Sequence, residues 1–340
     1  MTQRERTEQR EAERLHKRAC LSARSAGRER PEPMCPVRTA FQRDVDRINY
    51  SKAFRRLMYK TQVFLCPGGD HYRTRLTHAL EVSRIARTIA RGLDLNEDLT
   101  EGVALGHDLG HAPFGHAGER ALDGVVPGGF AHNAQSRRMV EVLERGGEGL
   151  NLCIETRDGI GCHTGPTPAM SLEGRIVAIA DRIAYVNHDM DDAVRAGLLT
   201  EDALPDDVHE VLGASYSSRI DTLVRDAIQT SAQLLRTSPE PDIALSPPVA
   251  AAMEHLRDFM FERVYLNPLA KSEETKAISM IRRLYEHYAA SPGNLPEEFW
   301  PLAERDGRER AGADFVAGMT DRYALEKAQD LFLPRGWEKR

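Results

Sequence analysis

A long helix is predicted by the stretch SLEGRIVAIADRIAYVNHDMDDAVRAGLL, residues 171–199, and this helix decides the fold. Its apolar residues Leu172, Ile176, Ile179 and Ile183 recur three or four positions apart. That spacing places them on one face of an amphipathic α-helix, which has to be buried against other elements. The sequence therefore predicts a long helix that forms part of a larger helical core.

The same periodicity recurs along most of the chain. Val82, Ile85 and Ile89 mark a second buried helix face, and Asn96 is placed to cap the helix that follows it. Further helices are expected at about 217–236, 247–266, 273–290 and 321–332, with Gly/Pro-rich loops at 124–130 and 156–170. Because we find almost no strand alternation and no internal repeat, we predict an all-α fold with one large, bundle-like domain.

The composition is typical of a soluble globular protein. Of 340 residues, 41% are hydrophobic and 29% are charged, and no run of 18 apolar residues indicates a membrane span. No apolar stretch follows the charged N-terminus, so a secretory signal is not expected. The five cysteines are scattered without a CxxC pair, which favours reduced thiols and predicts a cytoplasmic protein.

Positive charge is concentrated at the N-terminus. Residues 1–60 hold 16 Lys and Arg against 8 Asp and Glu, a net charge of +8, whereas the rest of the chain carries −14. We predict a basic arm and linker over residues 1–40 and a single helical domain over 41–340. The arm has two interpretations: a solvated, partly disordered tail, which its composition favours, or a segment that binds single-stranded nucleic acid or polyphosphate.

Titratable residues are concentrated in GHDLGHAPFGHAGE, residues 106–119, which holds three histidines and two carboxylates. His107 and His111 are four residues apart and would share a face if the helix continued through them. After Pro113 a new helical turn is expected, on which His116 and Glu119 lie three residues apart on one face. Glu119 would then accept a hydrogen bond from His116 and fix its orientation.

Two more distant residues extend this set towards a metal site. His78 lies near the start of the preceding helix, after the polar RTRLT. Asp181 interrupts the apolar run IVAIADRIA, where a carboxylate is costly to bury unless it is paired. Together with His107 and Asp108 they would form a shell of two nitrogen and two oxygen ligands. Such a shell suits one divalent ion among Mn²⁺, Mg²⁺, Co²⁺, Fe²⁺ and Ni²⁺ better than Zn²⁺.

Four blocks in order resemble a known family. They are RTRLTHALEV, ALGHDLGHAPFGHAGE, GGFAHNAQS and IADRIAYVNHDMDDA, and the H…HD…D pattern within them is that of the HD phosphohydrolase superfamily. The flanks resemble its dGTPase-like branch, the deoxynucleoside triphosphate triphosphohydrolases, over roughly residues 24–200. The resemblance implies an HD-domain helical bundle, with the HD core at about 70–200 and additional C-terminal helices over 201–340.

The resemblance also implies a reaction and its residues. Family members cleave a dNTP between the 5′ oxygen and the α-phosphorus, which releases a deoxynucleoside and inorganic triphosphate. The matching metal ligands are His78, His107, Asp108 and Asp181, and the matching catalytic residues are His116, Glu119 and His132. The matching substrate contacts are Gln62, Arg75, His111, Arg182, Tyr185, Asp189, Arg257 and Tyr265.

Partners and alternatives remain open at this level. The resemblance implies a homo-oligomer and, for some members, activation by a second, allosteric dNTP, with no membrane partner. One alternative is an HD-type pyrophosphohydrolase of guanosine alarmones or a nucleotide phosphodiesterase, but those relatives lack the second His–acid pair of GHAPFGHAGE. The other alternative is a non-catalytic regulator that binds nucleic acid through its basic arm. The preferred base of the substrate is not predicted.

Overall fold

The fold is helical throughout the part of the chain that the computed structural model describes. This part comprises residues 1–62, 73–200, 203–265 and 268–334, with side chains described except at 265 and 268–272. Within it, extended pairing is limited to two isolated bridges, Arg28 with Cys153 and Thr61 with Thr74. The predicted all-α fold is therefore confirmed. In these same ranges, no helix combines the length and the apolar character needed to cross a lipid bilayer.

The N-terminal half contains ten α-helices in the described ranges. They are α1 Gln3–Arg14, α2 Ala40–Asn49, α3 Lys52–Arg56, α4 Arg75–Gly92, α5 Glu97–Gly106, α6 Gly115–Asp123, α7 His132–Arg138, α8 Glu144–Gly147, α9 Ile154–Gly161 and α10 Leu172–Arg195. The C-terminal half adds α11 Asp206–Leu212, α12 Tyr216–Thr237, α13 Pro247–Met260, α14 Pro268–Ala290, α15 Trp300–Asp306, α16 Arg308–Ala317 and α17 Asp321–Phe332. A π-helical turn, Phe261–Tyr265, follows α13.

The largest hydrophobic core surrounds α10, the long helix that the sequence predicts. Ile176 and Ile183 of α10 are fully buried together with Val82 and Ile89 of α4 and Leu99 of α5. Helices α12 and α13 pack on the same helix. This core holds α4, α5 and α10 side by side, so that polar residues at their ends and along one edge meet at a common site.

A second core joins α6 to the C-terminal helices. Leu122 of α6 is buried with Ile281 of α14 and Val316 of α16, and α17 also packs against α14. The C-terminal part of the chain therefore supports α6, which carries the predicted His–acid pair.

The N-terminal segment differs from the expectation of a solvated tail. Helix α1 forms, and its buried Glu11 accepts hydrogen bonds from the backbone and the hydroxyl of Ser22 at 2.7 and 2.8 Å. The backbone N–H of Cys20 donates to Glu173 of α10 at 2.9 Å. The composition was misleading for these groups because they are bonded within the molecule, although most other residues of the segment are exposed or half-buried.

The loop prediction for residues 156–170 is wrong in its first part, which belongs to α9. Glycine there is a packing requirement, since a Cβ on Gly159 would lie 2.6 Å from a methyl carbon of Val103 in α5. A glycine that permits close helix packing resembles a loop glycine in the sequence. Helices α15 and α16 were also not predicted.

Candidate metal centre and active site

The turn that carries the HD pair is fixed by a residue from another helix. Helix α5 ends at Gly106, so His107 and His111 do not share a helix face, and that expectation was wrong. The hydroxyl of Ser136 in α7 donates to the His107 carbonyl at 2.5 Å and accepts from the Gly110 N–H at 2.8 Å. These bonds replace helical ones and turn the chain after His107.

Four predicted metal ligands converge behind this turn. His78 of α4 and Asp181 of α10 approach to 3.0 Å between Nε2 and Oδ1. His107 Nε2 lies 3.5 Å from Asp108 Oδ1 and 3.7 Å from Asp181 Oδ1. His78, His107 and Asp108 are buried, whereas Asp181 is partly exposed. The cluster thus draws its donors from α4, α10 and the turn after α5.

The protonation of this cluster fits a bound cation. His107 Nδ1 donates to the Ala104 carbonyl at 2.6 Å, and among the described residues its buried Nε2 has no hydrogen-bond partner. Burial opposes ionisation of Asp108, but His111, His107 and Arg75 outweigh it and hold the pKa of that carboxyl well below its usual value. Histidine nitrogen and ionised carboxylate together make a candidate divalent-metal site.

Arg75 adds a buried cation beside this site. Its Nη1 donates to Asp108 Oδ2 at 2.7 Å, while Nε and Nη2 have no hydrogen-bond partner within the described ranges. Gly115 makes room for it: a Cβ at this position would lie 2.9 Å from Nη2, and its φ of +56° also favours glycine. The guanidinium therefore keeps two donor positions available for an anion.

A histidine–glutamate cluster lies next to Arg75. Glu119 Oε2 is 3.1 Å from His116 Nδ1, and Glu119 Oε1 is 2.8 Å from His132 Nδ1 and accepts the His132 N–H at 2.7 Å. Burial opposes ionisation of Glu119, but the hydrogen bonds from both histidines lower its pKa. Burial also opposes the charged form of His132, yet the bond to Glu119 raises the pKa of that ring. One carboxylate thus orients two imidazoles.

His111 joins the two clusters. Its Nε2 lies 3.1 Å from Asp108 Oδ1, and its ring stacks on that of His132 with centroids 4.0 Å apart. Burial and the charges of Arg75 and His132 hold the pKa of His111 well below its usual value. The predicted metal ligands and the His116–Glu119 pair therefore form one continuous site.

Sequence reasoning missed His163, at the end of α9. Its Nδ1 donates to the Ile160 carbonyl at 2.8 Å, and its Nε2 lies 3.2 Å from His132 Nε2. Burial and the neighbouring His107 and His132 lower its pKa to about 4. The signal was a lone histidine in GCHTG, which the loop prediction concealed.

The predicted sugar-side residues follow Asp181 along α10. Tyr185 is half-buried and Asp189 is buried. Burial and the charge of Asp181 raise the pKa of Tyr185 to about 12. Arg257 of α13 is exposed and paired with Glu254 at 2.7 Å, yet it lies close enough for its charge to counter that rise.

The remaining predicted contacts divide into three cases. Gln62 is half-buried. Its backbone carbonyl oxygen lies 3.5 Å from the point that a Cβ on Gly115 would occupy, which places Gln62 next to α6. Arg182 is exposed, and its Nε donates to the Ala178 carbonyl of its own helix at 3.3 Å, so it is not drawn into the cluster. The side chain of Tyr265 lies outside the described residues.

Comparison with known proteins decides the family. Residues 75–186 match the HD domain, and residues 243–330 match the phosphohydrolase-associated domain. A deoxyguanosinetriphosphate triphosphohydrolase-like protein from Caldanaerobacter subterraneus subsp. tengcongensis is 53% identical over 338 residues, 99% of this chain and 98% of that one. The chain belongs to the deoxyguanosinetriphosphate triphosphohydrolase-like family.

Further members of this family are similar over the same length. Proteins of the same name from Desulfatibacillum aliphaticivorans and Clostridium perfringens strain SM101 are 47% and 46% identical, each over 98% of this chain and at least 98% of the relative. A solved structure of a hypothetical protein from Aquifex aeolicus has a TM-score of 0.47 at 20% identity, covering 85% of this chain and 71% of that one. Membership in the triphosphohydrolase-like family and the HD domain make this chain an HD-domain hydrolase.

Proposed function

We propose that this chain hydrolyses deoxynucleoside triphosphates, dGTP or several dNTPs, to a deoxynucleoside and inorganic triphosphate. The observation that carries the proposal is Arg75, a buried guanidinium with two unused donor positions between a metal-type shell and a His–acid pair. A buried cation with unsatisfied donors is suited to an anionic group, and phosphate oxygens match its fork. A nucleotide phosphate placed there would lie between both parts of the site.

The His78, His107, Asp108 and Asp181 side chains are the proposed holders of one divalent ion. Their histidine nitrogens and ionised carboxylates fit Mn²⁺, Mg²⁺, Co²⁺, Fe²⁺ or Ni²⁺. When bound, such an ion supplies Lewis-acid polarisation of a phosphate oxygen and helps to activate water.

Proton transfer to the leaving group is assigned to His116. The 5′ alkoxide of a deoxynucleoside is a poor leaving group at neutral pH, so a general acid is needed. Glu119 holds the His116 ring through Nδ1, so Nε2 is the ring nitrogen proposed to donate the proton. His132, held by the same carboxylate, is proposed to carry positive charge towards the phosphates.

The sugar is proposed to lie along α10. Asp189 would accept a hydrogen bond from the 3′-hydroxyl with Gln62 as its companion. Tyr185, between Asp181 and Asp189, would pack under the ring and leave little space for a 2′-hydroxyl. Hydrolysis should therefore discriminate against ribonucleotides.

The direct test is product analysis with the four dNTPs, singly and mixed, each with Mn²⁺ and with Mg²⁺. We expect equal amounts of deoxynucleoside and inorganic triphosphate, with NTPs cleaved far more slowly. Release of pyrophosphate and a nucleoside monophosphate would instead support the HD-type pyrophosphohydrolase alternative.

A variant of Arg75 tests the observation on which the proposal rests. Arg75→Met should reduce kcat/KM by about 10-fold to 150-fold, since a hydrogen bond to a charged group contributes about 1.5–3 kcal/mol. The matched control is Arg87→Met on the same helix, where the guanidinium pairs with Glu97 and Glu101 outside the site. Equal activity in both variants would contradict phosphate binding by Arg75.

A further inference from the structure

A buried lysine links the turn that precedes α6, residues 111–114 and called the catalytic turn below, to the C-terminal helices. Lys60 is 2% exposed, and its Nζ donates to the His111 carbonyl at 2.5 Å and to the Ala317 carbonyl at 2.8 Å. His111 belongs to the turn after the HD pair, whereas Ala317 is the last residue of α16. A lysine is rarely buried so completely, so these two carbonyl bonds have to compensate for its lost hydration.

An aspartate from α17 bonds to the same region from the other side. Asp321 is 6% exposed, and its Oδ1 accepts the Phe114 N–H at 2.9 Å. Its Oδ2 accepts the Thr61 N–H at 2.8 Å and also the Thr61 hydroxyl. Thr61 follows Lys60, so the segment 60–61, the turn 111–114 and the ends of α16 and α17 form one hydrogen-bonded unit.

The turn needs this support because its backbone is strained. Phe114 has a φ of +62°, in the left-handed region that residues with a side chain rarely occupy, and it gives α6 no side-chain cap. The Phe114 N–H is instead bonded to Asp321. Because α6 begins at the next residue, the direction of the chain at Phe114 determines where His116 lies.

We propose that Lys60 and Asp321 are positioning residues, which fix the turn 111–114 and thereby place the His116–Glu119 pair relative to the HD metal ligands. The phosphohydrolase-associated segment, residues 243–330, thus takes part in organising the active site through Ala317 and Asp321. The expected effect on kcat rests on the proposed hydrolysis, whereas the hydrogen bonds of Lys60 and Asp321 do not depend on the substrate.

The unit is expected to persist across neutral pH. Burial and the nearby Arg56 lower the pKa of Lys60 to about 7. Its amine has two N–H donors when neutral and three when charged, and the two carbonyls require only two.

The test compares Lys60→Met and Asp321→Asn with the wild type. Asparagine replaces one carboxylate oxygen by an NH₂ group, which cannot accept the Thr61 bonds together with the Phe114 bond. We expect kcat to fall about 10-fold to 100-fold, in line with the loss of hydrogen bonds to a charged group. KM should stay within about threefold, and elemental analysis should find the metal content unchanged.

The chain offers a matched control in Asp226→Asn. Asp226 also accepts a backbone N–H and a hydroxyl, both from Ser246 at 2.7 Å, but it makes these bonds away from the catalytic turn. This variant should lose thermal stability while the kcat of the folded enzyme stays at the wild-type value. If Asp321→Asn and Lys60→Met behave in the same way as Asp226→Asn, their role is structural alone and the proposal is overturned.

Hydrogen exchange provides a readout that needs no activity. In Asp321→Ala, which removes both acceptor oxygens, the peptide 109–118 should exchange faster than in the wild type, because the Phe114 N–H loses its acceptor. If the wild type releases no triphosphate from any dNTP, the proposed function fails. The exchange result would still show whether Asp321 fixes the turn 111–114. Unchanged exchange in this peptide would overturn the proposal that Asp321 is a positioning residue. Should Asp321→Asn not fold, Thr61→Val removes only the hydroxyl bond and carries the same comparison.

Discussion

Asp108 divides its two oxygens between different partners. Oδ1 faces His107 and His111, whereas Oδ2 accepts the Arg75 guanidinium. Asp108→Ala should lose both the bound metal and activity, because it removes one ligand and leaves Arg75 without its anchor. Elemental analysis of the purified variant checks this prediction, and full metal occupancy would contradict the assignment of Asp108 as a ligand.

The two histidines on Glu119 can be separated kinetically. His116→Ala should reduce kcat by roughly 10²–10⁴ while the metal stays bound, as expected for loss of a general acid. His132→Ala serves as the comparison, since it shares the same carboxylate. If His116→Ala is nearly as active as the wild type and His132→Ala is not, the general acid is His132.

Glu119 should also set the pH dependence of the site. Its hydrogen bond raises the pKa of His132, so His132 keeps its proton to a higher pH than an ordinary histidine and loses it as the pH rises further. Glu119→Gln removes the charge that favours this proton. The pKa of His132, followed by NMR, should therefore fall, and the alkaline limb of kcat/KM should move to lower pH. A His132 pKa that does not change would refute the coupling.

At the scale of one element, α10 serves as the axis along which a nucleotide is proposed to lie. Asp189 stands eight residues beyond Asp181, about 12 Å along the helix at 1.5 Å per residue. Asp189→Ala should narrow the rate ratio between a dNTP and its 2′,3′-dideoxy analogue by about 10-fold to 150-fold, the cost of a lost hydrogen bond to a charged group. The same ratio as in the wild type, in a folded and metal-loaded variant, would mean that Asp189 does not bind the 3′-hydroxyl.

Helices with a clear apolar stripe were predictable from the sequence, and turns held by distant residues were not. The spacing of Leu172, Ile176 and Ile183 is local information, and α10 follows from it. The turn after His107 depends on Ser136, which is 29 residues away. His163 reaches the site through the packing of α9, and Lys60 is held by the end of α16. A local sequence pattern holds no information about either of these long-range contacts.

At the scale of the whole molecule, the N-terminal segment is joined to α2 through a buried ion pair. Arg28 donates to Asp44 at 2.5 Å and to the Ala40 carbonyl at 2.8 Å, and the Asp44 side chain is fully buried. Arg28→Ala should lower the free energy of unfolding by about 3–5 kcal/mol, because it leaves a buried carboxylate with two neutral hydrogen-bond donors, from Cys153 and Thr156, but without its cationic partner. Urea denaturation measures this change.

The control for this prediction is an exposed pair. Arg322, with 84% of its side chain exposed, bonds Glu326 one turn along α17. Arg322→Ala should change the free energy of unfolding by no more than about 0.5 kcal/mol, since solvent screens such pairs. A loss of similar size in both variants would argue against the buried pair as the anchor of the segment.

The basic N-terminal region, residues 1–60, uses part of its charge within the molecule. Arg28, Arg43 and Arg47 all contact the single carboxylate of Glu32. Binding of single-stranded nucleic acid by residues 1–40 stays a prediction, as do the homo-oligomer and the allosteric dNTP. Charges already paired with Glu32 would contribute less to such binding than the composition suggests.

The bonds from Lys60 and Asp321 to the catalytic turn all end on main-chain atoms, the His111 carbonyl and the Phe114 N–H. They depend on the path of the chain and do not use the side chains of His111 and Phe114. A side chain of the turn can therefore be changed in directed engineering without loss of these hydrogen bonds, as long as the left-handed backbone at Phe114 is kept. New substrate preferences are best sought by varying such side chains while Lys60, Thr61 and Asp321 are kept.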